Sequence, residues 1–248
     1  MTNMPRFRLV AGLQPVREAI RIHKGRLDRV IIELRRSPRL EAIERFARDQ
    51  GVNAIERLPG VSLDRLSNGV EHQGVVCWAP PLQLVSLDDL LRGPSLLAIA
   101  LDQIQDPQNF GAIIRSAVGI ADAAVIWGEH ASAPLSPATF RASAGAIEQA
   151  KLCRVKSLRD ALGRCASAGA IVIGLDAHAT QPLHELSFAE PTILVLGSEH
   201  RGLGRSIKSS CTGFAKLVSS GKLDSLNASV AAGIALHTVH VSRVFSIR

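Results

Sequence analysis

From residue 96 almost to the end of the chain, short apolar runs alternate with helical segments. The runs LLAIALDQI, AAVIW, LCRV, AIVIGLD, TILVLG and GFAKLV are rich in Val, Ile, Leu and Ala, as strands buried on both faces are. The segments between and after them have helical composition, at 109–121, 137–149, 157–168, 203–211 and 226–243. This alternation predicts an α/β fold with a parallel sheet covered by helices on both sides.

The residues before this region predict a second, smaller α/β domain. LQPVREAIRIH places its apolar residues on one helical face, and SPRLEAIERFARDQG has Ser, Pro and Gly where a helix begins and ends. RVIIEL, VNAIERL and GVVCWA are typical of strands. Residues 80–95, bounded by Pro and Gly, have the composition of a linker with one short helix. We therefore predict a domain at 1–79, a linker at 80–95 and a larger domain at 96–248.

The positive charge of the chain is concentrated at its two ends. The net charge is +7, yet residues 1–50 carry 12 Lys and Arg against 6 acidic residues, and residues 201–248 carry 7 against 1. Such basic regions favour a polyanionic partner, with RNA or DNA the usual candidate, although solvated Arg-rich helices would give the same count. The chain has no Tyr and only 4% aromatic residues, which argues against a base-stacking platform.

The composition also argues against several other classes of protein. No apolar stretch reaches the length of a membrane span, and the N-terminus lacks the apolar segment of a secretory signal, so we expect a cytoplasmic protein with no membrane partner. The four cysteines lack CxxC spacing, which favours reduced, buried thiols. His237 and His240 have helical spacing but no acidic or thiol neighbour in sequence, so we expect no metal.

Three polar motifs interrupt the apolar pattern of the larger domain, each just after a predicted strand. We call NFGAIIR (109–115) the first motif, LGSEHRGLG (196–204) the second and DSLNASVAAG (224–233) the third. Ligands on open α/β sheets gather at the carboxyl ends of the strands, which makes these motifs candidate site segments. In the third motif we predict that Ser225 caps a helix beginning at Leu226, with Asn227 in its first turn.

In this order, N-x-G-x-x-x-R, G-x-E-x-x-G-L and S-L-N-x-S-V-A resemble the motifs of the SpoU-type (TrmH family) 2′-O-ribose RNA methyltransferases of the SPOUT superfamily. LDQIQDPQNFGAIIRSA and SAPLSPATFRASAGA are also similar to that family, and EHQGVV resembles the end of its substrate-binding domain. The layout is closest to the bacterial enzymes that methylate a guanosine of 23S ribosomal RNA. One departure is Leu217-Val218-Ser219, where the family usually has Ile-Pro-Met.

The resemblance implies a smaller N-terminal substrate-binding domain and a C-terminal SPOUT domain with a trefoil knot that binds S-adenosyl-L-methionine, in a homodimer acting on RNA. It assigns activation of the ribose 2′-hydroxyl to Arg115. Asn109 would orient either Arg115 or the substrate. It places Glu199, Ser225 and Asn227 in the same catalytic network. It implies that the cofactor contacts Gly197, Leu217 and Leu226, largely through their backbone.

Two alternatives to ribosomal RNA methylation remain open from the sequence. The target is a tRNA ribose in one of them, although the additional N-terminal domain favours ribosomal RNA. In the other, the chain is a non-catalytic RNA-binding homologue. The presence of all five catalytic candidates favours an enzyme over this second alternative.

Overall fold

The computed structural model describes residues 7–93, 96–130, 132–188, 191–199, 201–222 and 225–246. Along the chain the strands and helices are β1 (Arg8–Ala11), α1 (Leu13–His23), β2 (Val30–Glu33), α2 (Pro38–Asp49), β3 (Ile55–Leu58), α3 (Gly60–Ser67), β4 (Val75–Ala79), α4 (Leu87–Leu91), β5 (Leu97–Leu101), α5 (Pro107–Ala121), β6 (Ala124–Gly128), α6 (Pro137–Ala142), β7 (Leu152–Val155), α7 (Leu158–Ser167), β8 (Ile171–Leu175), β9 (Thr192–Leu196), α8 (Arg205–Lys208), β10 (Gly213–Ala215) and α9 (Ala228–Ser246).

These elements form two compact units. The first comprises the described residues as far as Gln83 together with Leu135–Gln149, and the second comprises Leu84–Pro134 and the described residues from Ala150 onward. The chain therefore passes between the units three times. Among the described residues, no helix is long and apolar enough to span a membrane.

The first unit is built on a mixed four-stranded sheet in the order β1-β4-β2-β3. β4 is antiparallel to β1 and β2, while β2 and β3 are parallel. α1 buries Val16 and Ile20 against this sheet, as the periodicity of its sequence predicts, and α2 adds Leu40 to the same core. Strand β1 was not among the elements that the sequence predicts, because its four residues RLVA carry no clear alternation.

Residues 135–149 form part of the first unit, although their sequence predicts one helix of the larger domain. The helix ends at Ala142, because Ala144 and Gly145 adopt positive φ angles of 49° and 86°, and only a 3₁₀ turn follows at 146–148. Gly145 is required here, since a Cβ atom on it would lie 2.6 Å from Cβ of Glu18. The Gln149 side chain then donates a 3.3 Å hydrogen bond to Glu18.

A buried ionic cluster anchors the end of this segment. Glu148 is almost wholly buried and pairs with Arg8, while His23 lies 2.8 Å from the same Glu148 oxygen. The Arg8 guanidinium also lies over the Phe140 ring, 5.2 Å from its centroid. Arg8 Nε and Nη1 are buried without a hydrogen-bond partner among the described residues, so Glu148 is the main compensation for this charge.

The second unit contains a six-stranded, wholly parallel sheet in the order β10-β8-β9-β5-β6-β7. Every residue of β5 is buried, so both faces of the sheet are covered. Its Ala98 and Ala100 share a core cluster with Leu162 of α7 and Ile207 of α8, while α5 packs against α9. The predicted α/β fold with a parallel sheet is confirmed.

Residues 84–93, which the sequence assigns to the linker, pack into the second unit. The backbone N–H of Val85 donates a 2.9 Å hydrogen bond to the carbonyl of Leu152, and Leu84 forms a parallel bridge with that residue. Leu87 and Leu90 of the predicted short helix lie in the core. Burial of these two leucines explains why the segment is ordered on this unit instead of forming a free connection.

Candidate active site

The first and second motifs meet because β5 and β9 are neighbouring parallel strands, and their carboxyl ends lie at one edge of the sheet. The helix that carries the first motif begins two residues earlier than predicted, at Pro107. Asp106 caps it by accepting a 3.0 Å hydrogen bond from the backbone N–H of Gln108. Asn109 therefore lies in the first turn, and its side chain is not used for capping.

Three predicted catalytic residues, one from each motif, form a closed hydrogen-bonded triad. The Asn109 amide nitrogen donates to Glu199 Oε1 at 3.0 Å. The Asn227 amide nitrogen donates to the same Glu199 oxygen at 2.8 Å and to Asn109 Oδ1 at 2.9 Å. The backbone N–H of Ala228 adds a fourth bond, to Glu199 Oε1 at 3.0 Å. One carboxylate oxygen thus accepts three N–H groups, which fixes the position of Glu199.

Asn227, and not Ser225, caps the last helix. Its Oδ1 accepts hydrogen bonds from the backbone N–H groups of Ser229 and Val230 at 2.9 and 3.3 Å, so α9 begins at Ala228 instead of Leu226. The prediction that Ser225 is the cap was wrong, because both residues favour this position and Asn227 lies nearer to the first helical turn. Asn227 therefore links the helix start to the triad.

A pocket of about 420 Å³ lies beside the triad, between the ends of β8 and β9 and the segment that precedes α9. This volume is within the range of small-molecule sites. The three residues that the resemblance assigns to the cofactor, Gly197, Leu217 and Leu226, all line it. Glu199 and Ser225 line it as well, so the triad and the pocket form one site.

Glycine is required at position 197 for close backbone packing. A Cβ atom there would lie 2.2 Å from the carbonyl carbon of Gly202 and 2.5 Å from the backbone nitrogen of Leu203. Gly202 itself has a φ of 61°, and its N–H bonds back to the Ser198 carbonyl at 2.9 Å. The second motif is therefore a tight turn that lines the pocket mainly with backbone.

Two carboxylates that shape this site were missed by the sequence analysis. Asp102, at the end of β5, is buried and accepts a 2.8 Å hydrogen bond from the backbone N–H of Gly204. Asp176, after β8, lines the pocket and lies 2.6 Å from Nζ of Lys208. This bond to Lys208, with a second from the backbone N–H of His178, holds the pKa of Asp176 below its ordinary value. Both residues follow a strand directly, and this position could have identified them.

Arg115 stands apart from the triad. It is exposed, it does not line the pocket, and the described part of the chain offers it no hydrogen bond or ion pair. Asn109 makes no hydrogen bond to Arg115 within the described part of this chain, since its amide bonds to Glu199 and Asn227. That Asn109 orients Arg115 or the substrate stays a prediction. In Leu217-Val218-Ser219, where the sequence departs from the usual family pattern, Ser219 lines the pocket and Val218 is 67% exposed.

The described residues contain no group of three potential metal ligands. The four cysteines are free, and three of them are buried. Burial raises the pKa of Cys153 to about 11, with a smaller contribution from Cys165. Burial likewise raises the pKa of Cys211 to about 11, so these thiols are poor nucleophiles at neutral pH.

Comparison with known proteins identifies the family of this chain. Residues 96–237 match the SpoU rRNA Methylase family, and residues 9–85 match the family described as RNA 2′-O ribose methyltransferase substrate binding. An uncharacterized tRNA/rRNA methyltransferase of Mycolicibacterium smegmatis is 37% identical over 235 residues, which cover 92% of this chain and 74% of that protein.

Solved structures show the same fold. The SpoU methyltransferase AviRb from Streptomyces viridochromogenes superposes with a TM-score of 0.79 at 23% identity, over 97% of this chain and 91% of that one. An AdoMet-bound rRNA methyltransferase from Sinorhizobium meliloti gives a TM-score of 0.76 at 22% identity, over 94% and 87% of the two chains. The fold and the site define an RNA methyltransferase.

The chain belongs to the SpoU rRNA methylase family, as its three motifs predict. The methyl donor of such an enzyme is S-adenosyl-L-methionine. The pocket suits this cofactor, since its volume is adequate and Gly197 lets the backbone approach a ligand closely.

Proposed function

We propose that the protein methylates the 2′-hydroxyl of a guanosine ribose in 23S ribosomal RNA. The observation that carries the proposal is the triad of Asn109, Glu199 and Asn227 at the edge of the pocket. The substrate-binding match over residues 9–85 favours a large structured RNA, and the basic N-terminal region agrees with it. We also place the protein in the cytoplasm, where ribosomal RNA of bacteria is modified.

The site has the groups that an in-line methyl transfer requires. S-adenosylmethionine supplies a methyl group on a sulfonium, and the protein must align the ribose oxygen with it and help its proton to leave. Glu199 is fixed through Oε1, and its Oε2 makes no hydrogen bond with the described residues. In our proposal this free oxygen accepts a hydrogen bond from the substrate, and Ser225 belongs with Glu199 to the catalytic network. Gly197, Leu217 and Leu226 hold the cofactor.

Arg115 has a different task in this proposal. A guanidinium is almost never deprotonated in a protein, so Arg115 is not a general base. It would instead hold the ribose or the adjacent phosphate and stabilise the negative charge that develops on the 2′-oxygen. Because Arg115 has no partner among the described residues of its own chain, its guanidinium is available for such a contact.

The proposal includes a homodimer formed through α9. The alanine face of this helix, with Ala228, Ala232 and Ala235, is buried within the unit and is not the contact surface. On the opposite side Val230, Ile234, Val244 and Phe245 are 43–61% exposed and recur at helical spacing. A second copy of the chain would bury this apolar stripe in a two-fold contact.

The trefoil knot implied by the resemblance belongs to the same proposal, and the return of α9 from the edge strand β10 to α5 supports it.

Replacing Ile234 by Asp should separate the dimer into monomers at micromolar concentration, because a carboxylate would be buried without a partner. Multi-angle light scattering measures the mass directly. Val61→Asp is the control, since Val61 is 63% exposed on the first unit and should leave the mass unchanged. A wild-type protein that is already monomeric would contradict the dimer.

The experiment for the activity is transfer of a labelled methyl group from S-adenosylmethionine to RNA from cells that lack this protein. We expect label on a ribose 2′-oxygen of 23S ribosomal RNA, mapped by alkaline resistance and mass spectrometry. Label on tRNA would favour the alternative that the names of the relatives leave open. Cofactor binding by calorimetry without transfer to either RNA would favour a non-catalytic homologue.

A further inference from the structure

The first unit has an open cavity of about 600 Å³ whose lining is strongly basic. It lies where β2 leads into α2, beside the turn that precedes β4. None of the described acidic residues lines it, and the lining consists of Leu13, Arg35, Arg36, Ser37, Pro38, Arg39, Leu40 and Gln73. Three guanidinium groups around one cavity favour an anionic ligand.

Two of these arginines are not neutralised within the protein. Arg36 and Arg39 are exposed, and neither has a hydrogen bond or ion pair with the described residues. Arg35 differs, because its Nε lies 2.8 Å from Glu33. Most other arginines of the first 50 residues are engaged: Arg8 with Glu148, Arg21 with Glu18, and Arg48 with Glu44. Arg17, Arg26 and Arg45 also have no ion pair with the described residues, but they do not line the cavity. Arg36 and Arg39 are thus the two unpaired arginines that line it.

Neutral hydrogen-bond donors complete the lining. The Gln73 Oε1 atom accepts a 3.1 Å hydrogen bond from the backbone N–H of Leu13, which leaves its amide NH₂ free to donate into the cavity. Ser37 precedes α2 but makes no capping bond with its side chain, so its hydroxyl is also uncommitted. Guanidinium, amide and hydroxyl donors match the oxygens of a phosphodiester, and the neighbouring Glu33 carboxylate pairs with Arg35 and not with Arg36 or Arg39.

We propose that this cavity binds a backbone phosphate of the substrate RNA, held between Arg36 and Arg39 with Gln73 and Ser37 as neutral donors. The proposal rests on the RNA methyltransferase function and adds the site at which the first unit grips the RNA. Because these residues contact backbone and not bases, the contact contributes affinity and register instead of sequence preference.

The test compares the double variant Arg36→Gln/Arg39→Gln with the double control Arg17→Gln/Arg45→Gln in the full chain. Both remove two exposed positive charges of the first unit, but only the first pair lines the cavity. Binding of transcribed 23S ribosomal RNA is measured between 50 and 300 mM salt, together with KM and kcat for methyl transfer. Thermal melting checks that all variants remain folded.

We expect the cavity variant to bind RNA on the order of tenfold to a hundredfold more weakly at low salt, with a slope of log affinity against log salt that is shallower by about two. KM for RNA should rise with kcat nearly unchanged, because neither arginine belongs to the unit that holds the triad. The control should change the slope by far less.

Equal effects of both double variants on RNA binding would overturn the proposed phosphate site, since they would indicate a diffuse basic surface. Unchanged RNA affinity in the cavity variant, with normal methylation by the wild type, would also overturn it while leaving the proposed function intact. If the wild type methylates no RNA but the cavity variant still loses RNA affinity and salt dependence, the proposed function fails and the phosphate site stands.

Discussion

Arg115→Ala should lower the turnover of methyl transfer by about 10²-fold or more, because it removes the cation that would stabilise charge developing on the 2′-oxygen. Arg115 is exposed and makes no hydrogen bond or ion pair with the described residues, so the folded state should be unaffected. Turnover is measured with saturating RNA and cofactor. Arg159→Ala is a matched control, since Arg159 is also exposed on a helix of the second unit and should retain full activity.

The affinity for S-adenosylmethionine distinguishes a role of Arg115 in holding the substrate from a role in binding the cofactor. Calorimetry should give the variant a dissociation constant near that of the wild type, because Arg115 does not line the pocket. A large loss of cofactor binding with residual turnover would reverse our assignment.

Mixing Arg115→Ala subunits with Asn227→Ala subunits adds a further test. Recovery of activity in the mixture would show that each site uses Arg115 of one chain and the triad of the other.

Glu148→Ala should destabilise the protein by about 3–5 kcal/mol, because it leaves the Arg8 guanidinium buried without its carboxylate. Urea unfolding of the full chain measures this loss. Asp88→Ala is the control, since Asp88 and Arg164 form an exposed pair whose removal should cost less than about 1 kcal/mol. A Glu148 variant with wild-type stability would contradict the role of Glu148 as the main partner of the buried Arg8.

Glu148 also predicts how the stability of the protein depends on pH. Burial alone would raise the pKa of Glu148, but the hydrogen bond from His23 and the charge of Arg8 outweigh it, so the pKa lies below its ordinary value of 4.5. A carboxylate with a lowered folded-state pKa stabilises the protein above its unfolded pKa and loses that contribution as the pH falls through the folded value. Wild type should therefore lose stability below about pH 4.5 more steeply than Glu148→Gln.

The sequence predicts the second unit well, because its strands are apolar on both faces and its helices have marked ends. β5 and β9 lie where LLAIALDQI and TILVLG predict them. The predicted helix at 203–211 is only Arg205–Lys208, and the predicted strand GFAKLV only Gly213–Ala215. These segments are at the edge of the sheet, where fewer neighbours enforce regular structure.

The candidate active site is likewise predicted by the sequence only in part. The resemblance of the three motifs to the SpoU family identifies the residues of the triad. It does not show that Glu199 Oε1 accepts hydrogen bonds from the first and third motifs, because Asn109 and Asn227 are 90 and 28 positions away from it. It also could not reveal Asp102 as the partner of Gly204, a contact 102 positions apart in the chain. Such pairings depend on the order of the strands, which local sequence does not encode.

The assignment of residues 135–149 to the first unit has a consequence for synthesis on the ribosome. His23 and the carboxylate that it contacts are 125 residues apart. At about 5–20 residues per second, translation separates the two by about 6–25 s. Throughout that interval Arg8 of β1 and His23 of α1 lack the Glu148 carboxylate with which they pair. The first unit therefore completes its ionic cluster only after β5 and β6 of the second unit have been synthesised, although its own sheet is made first.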